Sequence, residues 1–211
     1  MRARILVFAK APTPGEAKTR LIPRLGAQGA AALQAWLIER TLATAAAARL
    51  GPVELWCAPD RAHPFFAGCS QRHAVALADQ GSGDLGERMQ RALDRATRTG
   101  IPALLVGCDC PALSVDDLRA ALEALEKEAI DMVFVPAEDG GYVLVGAKHA
   151  TAAIFAGVDW GTGQVMAQTR ERLRRNGSRW TELGSRWDLD RPADYDRLVD
   201  EGYLSAAEAG T

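Results

Sequence analysis

Ile5-Leu-Val-Phe-Ala9 runs directly into Lys10-Ala-Pro-Thr-Pro-Gly-Glu-Ala-Lys-Thr-Arg20. An unbroken apolar run of this length reads as a strand buried on both faces, and it gives way to a polar, proline-rich loop. The same alternation recurs down the chain, with apolar runs at Val53 to Cys57, Ala74 to Leu77, Leu104 to Gly107 and Met132 to Val135. Helical periods lie between them. The first carries Leu33, Trp36 and Leu37 on one face; a second begins at Asp84, with Glu87 at the third helical position, and aligns Leu85, Met89, Ala92, Leu93 and Ala96. A third begins at Ser114 with Asp117 completing a capping box and aligns Leu118, Ala121, Leu122 and Leu125. This pattern predicts an α/β protein with a mostly parallel sheet and helices on both faces.

Beyond Val135 the pattern changes, because Pro136-Ala-Glu-Asp-Gly-Gly-Tyr-Val-Leu-Val-Gly146 holds a turn and another short strand with no helix between, as in a hairpin-like or mixed-sheet insertion. A helix from about Thr162 to Arg175, a strand near Arg179 to Leu183 and a last helix from Pro192 complete the expectation, with residues 205–211 frayed. No internal repeat or linker divides the 211 residues, so one domain over 1–211 is expected. With 25 Lys+Arg against 27 Asp+Glu, the formal charge of -2 gives no electrostatic case for a nucleic-acid or anionic-membrane partner. The apolar patch at the N-terminus is too short for a signal peptide, and the alanine-rich stretch from Ala30 to Leu50 is interrupted by Gln34, Glu39, Arg40 and Arg49. No membrane span and a cytoplasmic location are expected. Cys57, Cys69, Cys108 and Cys110 lack zinc or redox spacing, and His63, His73 and His149 stand singly.

In open α/β sheets, sites lie beyond the carboxyl ends of strands. After the first strand, Lys10, Lys18 and Arg20 supply three cations and Gly15 permits close approach, which suits a pyrophosphate. The loop is neither GxGxxG nor GxxxxGKT, and a solvated basic loop is the plain alternative. After the fourth strand, Asp109 stands alone between Cys108 and Cys110. A lone strand-end carboxylate near phosphates suits magnesium, while a turn hydrogen bond is its plain alternative. Asp139 precedes Gly140 and Gly141, which let main chain approach a ligand or simply close a hairpin. Asp188 and Asp190 stand on alternate positions before Pro192, so only one of them is expected to face the site; helix capping is the plain reading of Asp190.

In order along nearly the whole chain, Phe8 to Leu21, Gln80 to Met89, Gly107 to Pro111, Pro136 to Gly146, Trp160 to Val165 and Asp188 to Asp194 resemble the motifs of small bacterial GT-A-like glycosyltransferases of the selenodomain-associated type. There is a looser kinship to the guanylyltransferase-like nucleotidyltransferases of molybdenum-cofactor pathways. Arg191 stands where threonine is usual, and Gly161 where serine is usual. The resemblance implies a nucleotide-diphosphate-sugar-transferase fold, a Rossmann-type three-layer sandwich with a mostly parallel mixed sheet. It also implies that Lys10, Lys18 and Arg20 contact nucleotide phosphates, with Ala9, Gly15 and Thr19 of the same loop in the nucleotide site. Gln80, Gly83 and Arg88 join them, because their loop feeds a helix N-terminus, although Asp84 already occupies part of that field. Asp109 would hold Mg2+ or Mn2+ with Asp190 as second contact; Asp139, Gly140, Gly141 and Tyr142 would line the acceptor end; and Asp109 and Asp139 would be catalytic.

These expectations allow three functions. The first is a magnesium-dependent glycosyltransferase taking a nucleotide sugar and a small-molecule acceptor, with no protein nucleophile. The second is a nucleotidyltransferase releasing pyrophosphate. Against it, Ala9-Lys10-Ala11-Pro12 stands where sugar-nucleotide pyrophosphorylases carry a paired-glycine opening. The third is a non-catalytic nucleotide-binding module, against which Lys18, Arg20, Asp109, Asp139 and Asp190 occur together.

Overall fold

The computed structural model of the protein describes residues 3–149 and 154–204. The chain builds β1 (Arg4–Lys10), a 3-10 turn (Thr19–Leu21), α1 (Ile22–Ala48), β2 (Val53–Ala58), α2 (Pro64–His73) and β3 (Ala76–Asp79). It continues with α3 (Leu85–Thr97), β4 (Ala103–Gly107), α4 (Val115–Glu126), β5 (Met132–Pro136), β6 (Tyr142–Ala147), α5 (Val165–Arg175), β7 (Trp180–Glu182) and α6 (Pro192–Asp200). Among the described residues the strands form one seven-stranded sheet in the order β3-β2-β1-β4-β6-β5-β7. Every strand runs parallel except β6, which is antiparallel to both β4 and β5. This is the α/β fold with a mostly parallel mixed sheet that the alternation predicts. The hairpin-like insertion is the β5–β6 pair, and residues 205–211 lie outside the described residues.

Alternate side chains of each strand serve the two faces. Ile5, Val7, Leu55, Leu104 and Val133 pack under α1, α2 and α4 through Ile38, Leu42, Phe66, Leu118 and Leu122. Leu6, Phe8, Trp56, Leu105 and Phe134 pack under α3 and α5 through Met89, Leu93, Met166 and Leu173. A third cluster joins Leu33 and Leu37 of α1 to Trp187, Leu189, Tyr195 and Leu198, laying the C-terminal segment against that helix. Both expected capping boxes form: Asp84 with Glu87 at 2.8 and 3.0 Å, and Ser114 with Asp117 at 3.2 and 2.9 Å.

Three differences from expectation have local causes. Helix α2 is not announced by the sequence, because its buried apolar face is only Phe66 and Cys69. The third strand begins two residues late, since Ala74 takes a left-handed conformation (φ 52°) to end α2. Trp36 is half-buried rather than core, with the Arg40 guanidinium 5.5 Å from its ring centroid. No described helix is long and apolar enough to cross a membrane.

The chain leaves β1 toward β2 and β3 on one side of the sheet, while β4, the other neighbour of β1, leads to the half holding β6, β5 and β7. That reversal opens a crevice at the strands' carboxyl ends. Gly146 in β6 keeps the neighbouring layers tight, because a Cβ there would lie 2.6 Å from Val133, 2.7 Å from Leu104 and 3.1 Å from Leu125. All three neighbours are buried and have nowhere to retreat. Gly146→Ala is expected to lower unfolding free energy by about 1–3 kcal/mol in urea titration; an unchanged midpoint would mean the core absorbs the methyl.

Candidate functional site

The crevice is a cleft of about 830 Å³, within the range of small-molecule sites, roughly 300–1,000 Å³. One lip is the loop after β1. Ala11 N–H donates to Ala58 O at 2.8 Å, and Glu16 and Ala17 N–H both donate to Thr13 O at 3.0 Å, so the loop is held by its own backbone. Ala9, Lys10, Lys18, Thr19 and Arg20 line the cleft. Gly15 is outside the lining; its φ of 86° is the left-handed turn that reverses the loop. Lys10 Nζ donates to Glu16 O at 2.8 Å. Arg20 is exposed and paired with Asp190.

Lys18 differs from the other two cations. It has φ 46°, only 5% of its side chain is exposed, and its Nζ lies 2.6 Å from Asp109 Oδ1 and 2.5 Å from Leu189 O. Burial acts to lower the ammonium pKa, but the charge and hydrogen bond of Asp109 outweigh it and the pKa is raised above its ordinary value. Lys18 is therefore a fixed cation. Asp109 itself is about half exposed (53%) and faces the cleft.

The opposite lip is acidic. Asp139 lines the cleft, with Oδ1 accepting from Gly141 N–H at 2.8 Å. Gly140 does not line it: at its φ of 94° a Cβ would collide with the Gly163 backbone, and its carbonyl accepts from Met166 N–H at 2.8 Å. The close main-chain approach there is made by the loop before α5. Tyr142 belongs to an aromatic wall, with ring centroids 5.2 Å from Phe134 and 6.3 Å from Trp160, and burial pushes its phenol pKa far up.

Asp188 and Asp190 both line the cleft, against the expectation that only one would. The alternation rule presumes an extended strand, whereas residues 187–190 have no strand structure. The Asp190 carboxylate pairs with Arg20, and its backbone N–H donates to Asp194 Oδ2 at 3.0 Å. Asp188 feels the other acids: burial, then the charges of Asp139 and Asp109, push its carboxyl up to about 6, with Lys18 opposing. Sequence reasoning leaves open which of Asp188 and Asp190 faces the metal, and the resemblance names Asp190.

Two buried amides set the cleft floor. Gln80 Nε2 donates to Trp56 O at 2.9 Å and Ala9 O at 3.2 Å, and its Oε1 accepts from Arg88 Nη1 at 2.9 Å. Gln34, which sequence reasoning misses, donates to Lys10 O at 3.2 Å and Cys108 Sγ at 3.3 Å. Its one signal is that it is the single amide in the alanine-rich stretch from Ala30 to Leu50. Gly83 lies outside the lining, its place set by the Glu87 carboxylate of the capping box.

The donor set suits a hard divalent cation. Asp109 and Asp188 are carboxylates with one ammonium between several negative charges, and magnesium needs only one or two protein carboxylates when phosphates complete its shell. No group of three His, Cys, Asp or Glu among the described residues could hold an ion unaided. Thiol chemistry finds no support, because burial pushes Cys57, Cys69 and Cys110 up to about 12 and Cys108 higher.

Residues 41–162 match the model of a family described as "Uncharacterized protein conserved in bacteria (DUF2064)". The chain belongs to this DUF2064 family. The match takes in Gln80, Arg88, Asp109 and Asp139, while the β1 loop and Asp188 lie outside it. Among solved structures, a Desulfovibrio desulfuricans G20 protein assigned as a nucleotide-diphospho-sugar transferase is 27% identical, with a TM-score of 0.85 over 99% of this chain and 93% of that one. A nucleotidyl transferase from Methanothermobacter thermautotroptrophicus is 16% identical, with a TM-score of 0.63 over 95% and 97% of the two chains. Glucosyl-3-phosphoglycerate synthase from Mycobacterium tuberculosis, solved with Mn2+, UDP and glucosyl-3-phosphoglycerate, is 11% identical, with a TM-score of 0.55 over 99% and 80%. The last two share the fold. No curated protein matches the chain in sequence.

The raised Asp188 carboxyl gives the DUF2064 chain a pH signature. Between its unfolded value of 3.8 and about 6, the folded state keeps a proton that the unfolded state has released, so stability falls as pH rises through that window. Asp188→Asn removes this loss. In urea unfolding with chelator present, the variant is expected to gain on the natural protein by about 1–3 kcal/mol between pH 4 and 6.5; a difference constant with pH would take Asp188 out of the buried acidic group.

Proposed function

We propose that the protein is a divalent-metal-dependent glycosyltransferase, moving a sugar from a nucleotide-diphosphate donor to a small-molecule acceptor. The observation carrying this reading is that one cleft gathers the cations Lys10, Lys18 and Arg20 of the β1 loop with the carboxylates Asp109, Asp139, Asp188 and Asp190, Lys18 paired to Asp109 and Arg20 to Asp190. Cations suit a diphosphate, and carboxylates suit a metal ion and an acceptor that must lose a proton. The Desulfovibrio neighbour's assignment and the motif resemblance to selenodomain-associated transferases point the same way.

In this reading the acceptor oxygen forms a bond to the anomeric carbon, and the bond from that carbon to the diphosphate breaks with its electron pair leaving on the diphosphate. Asp139, whose Oδ1 is already steadied by Gly141 N–H, accepts the proton lost by the acceptor. Lys18 and Arg20 take up phosphate charge, Arg20 by exchanging Asp190 for a phosphate oxygen. A bound Mg2+ or Mn2+, held by Asp109 and by Asp188 or Asp190, would neutralise the departing diphosphate. Glycosyl transfer is favoured over nucleotidyl transfer because Ala9-Lys10-Ala11-Pro12 stands where sugar-nucleotide pyrophosphorylases carry a paired-glycine opening.

Product analysis tests this reading directly. Incubation with nucleotide sugars, a panel of hydroxyl acceptors and magnesium is expected to release nucleoside diphosphate and not pyrophosphate; release of pyrophosphate from nucleoside triphosphates would overturn it. Asp109→Asn keeps the size of the side chain but leaves the buried Lys18 ammonium without its counter-charge, so it is expected to lose stability, by about 3–5 kcal/mol, and, assayed where it is still folded, to lose most activity and to bind nucleotide without magnesium dependence. A folded variant with the natural magnesium titration would reduce Asp109 to a structural partner of Lys18. Asp139→Asn should lower turnover more than nucleotide affinity, and equal losses would mark Asp139 as a binding residue only.

A further inference from the structure

Arg88 has a built-in orientation that the transfer reaction does not use. It stands on the first turns of α3, half-buried, and lines the cleft. Its Nε donates to Asp84 O at 3.2 Å and its Nη1 to Gln80 Oε1 at 2.9 Å, while among the described residues Nη2 has no protein partner. Gln80 in turn is 3% exposed and cannot swivel: the Trp56 and Ala9 carbonyls hold its amide, its N–H donates to Cys57 O at 3.0 Å, and Arg91 Nη1 donates to its carbonyl at 2.5 Å. The guanidinium plane is thus fixed through Gln80 to the ends of β1 and β2, with unspent N–H groups left at the cleft.

The surroundings of Arg88 differ from those of the phosphate-ready cations. Leu85 and Met89 flank it on α3, and Phe8 and Pro59 line the same cleft from β1 and the segment after β2. Apolar faces beside a planar donor edge suit a flat heterocycle more than a phosphate, which wants several cations or free N–H groups. Arginine can only donate. Its fork matches adjacent acceptors such as O6 and N7 of guanine or O2 and N3 of cytosine, and it can meet a carbonyl of uracil; on the Watson–Crick and Hoogsteen edges of adenine the N6 amino donor stands beside the ring-nitrogen acceptor, N1 or N7.

We propose that Arg88 reads the nucleobase and that the cleft takes nucleotides with an oxo-bearing base, guanine, cytosine or uracil, in preference to adenine. This rests on the nucleotide-binding reading of the cleft and adds the base class to it. The test is calorimetric titration of the protein with GDP, CDP, UDP and ADP in magnesium buffer. At least one of the first three is expected to bind about tenfold or more tighter than ADP. Arg88→Lys keeps a cation but loses the planar fork, and Arg88→Met keeps only the apolar stem; both are expected to bring the best ligand within about twofold of ADP by weakening that ligand more than ADP.

Two results overturn the proposal while sparing the nucleotide reading. One is a natural protein that binds ADP as tightly as the others. The other is a pair of variants in which Arg88→Met weakens all four ligands equally and Arg88→Lys restores them, which would make Arg88 a phosphate contact. Binding of none of the four by the natural protein would instead remove the nucleotide reading, and the base proposal with it. Unchanged thermal midpoints of both variants check that α3 keeps its place.

Discussion

One ammonium group ties together three segments that the sequence keeps far apart. Lys18 Nζ reaches Asp109 at the end of β4 and the carbonyl of Leu189 in the C-terminal segment, and it does so from a side chain almost wholly withdrawn from water. A buried ion pair gains little net stability, because desolvation takes back much of the Coulombic attraction. Removing one partner is another matter: it strands a charge and costs several kcal/mol, typically about 3–5. The pair therefore works as a geometric lock. It sets the width of the cleft at the point where β1 and β4 diverge, and it fixes Asp109 with one oxygen engaged and half its surface still open.

The lock needs the C-terminal segment held in position, and apolar packing does that. Trp187 and Leu189 are buried with Tyr195 and Leu198 against Leu33 and Leu37 of α1. Arg40 adds a second fastening, donating to Pro111 O at 2.9 Å and lying 4.8 Å from the Tyr203 ring centroid. Leu189 N–H donates to Asp109 O at 2.7 Å, so the segment is also stitched to the residue after β4. Asp188 and Asp190 sit on either side of that stitch, which is why both reach the cleft although alternate positions of a strand could not.

How much of this is legible in the sequence depends on the kind of force involved. Strands buried on both faces must be continuous apolar runs, so β1, β2, β4 and β5 can be read from Ile5, Val53, Leu104 and Met132 onward. Capping boxes are local chemistry, and both are readable from spacing alone. Helix α2 is not, since a face of two buried residues has no period to detect. Lys18, Arg20, Asp109 and Asp139 stand out because they come after strand ends. Gln34 and Gln80 act on carbonyls contributed by other segments, a tertiary relation with no local pattern. That Asp188 joins Asp190 in the cleft escapes for a different reason: alternation holds for regular strands, and its segment is pinned by Lys18 and Trp187 instead.

The distribution of charge and neutral hydrogen bonds separates what is fixed from what can exchange. The strand ends are bracketed by Gln34 and Gln80, whose amides carry no charge and do not titrate, so the floor of the cleft keeps its shape whatever ligand charge or pH it meets. The Arg20–Asp190 pair lies at the surface, 62% and 41% exposed. Such pairs are worth about 0–1 kcal/mol, so trading the carboxylate for a phosphate oxygen costs almost nothing and frees Asp190. Lys18 cannot trade so easily, because its burial makes any interval without a partner expensive. A phosphate approaching this lip would therefore meet one mobile cation able to track it and one immobile cation already aimed, while Asp109 stays at the strand end on its own rigid element.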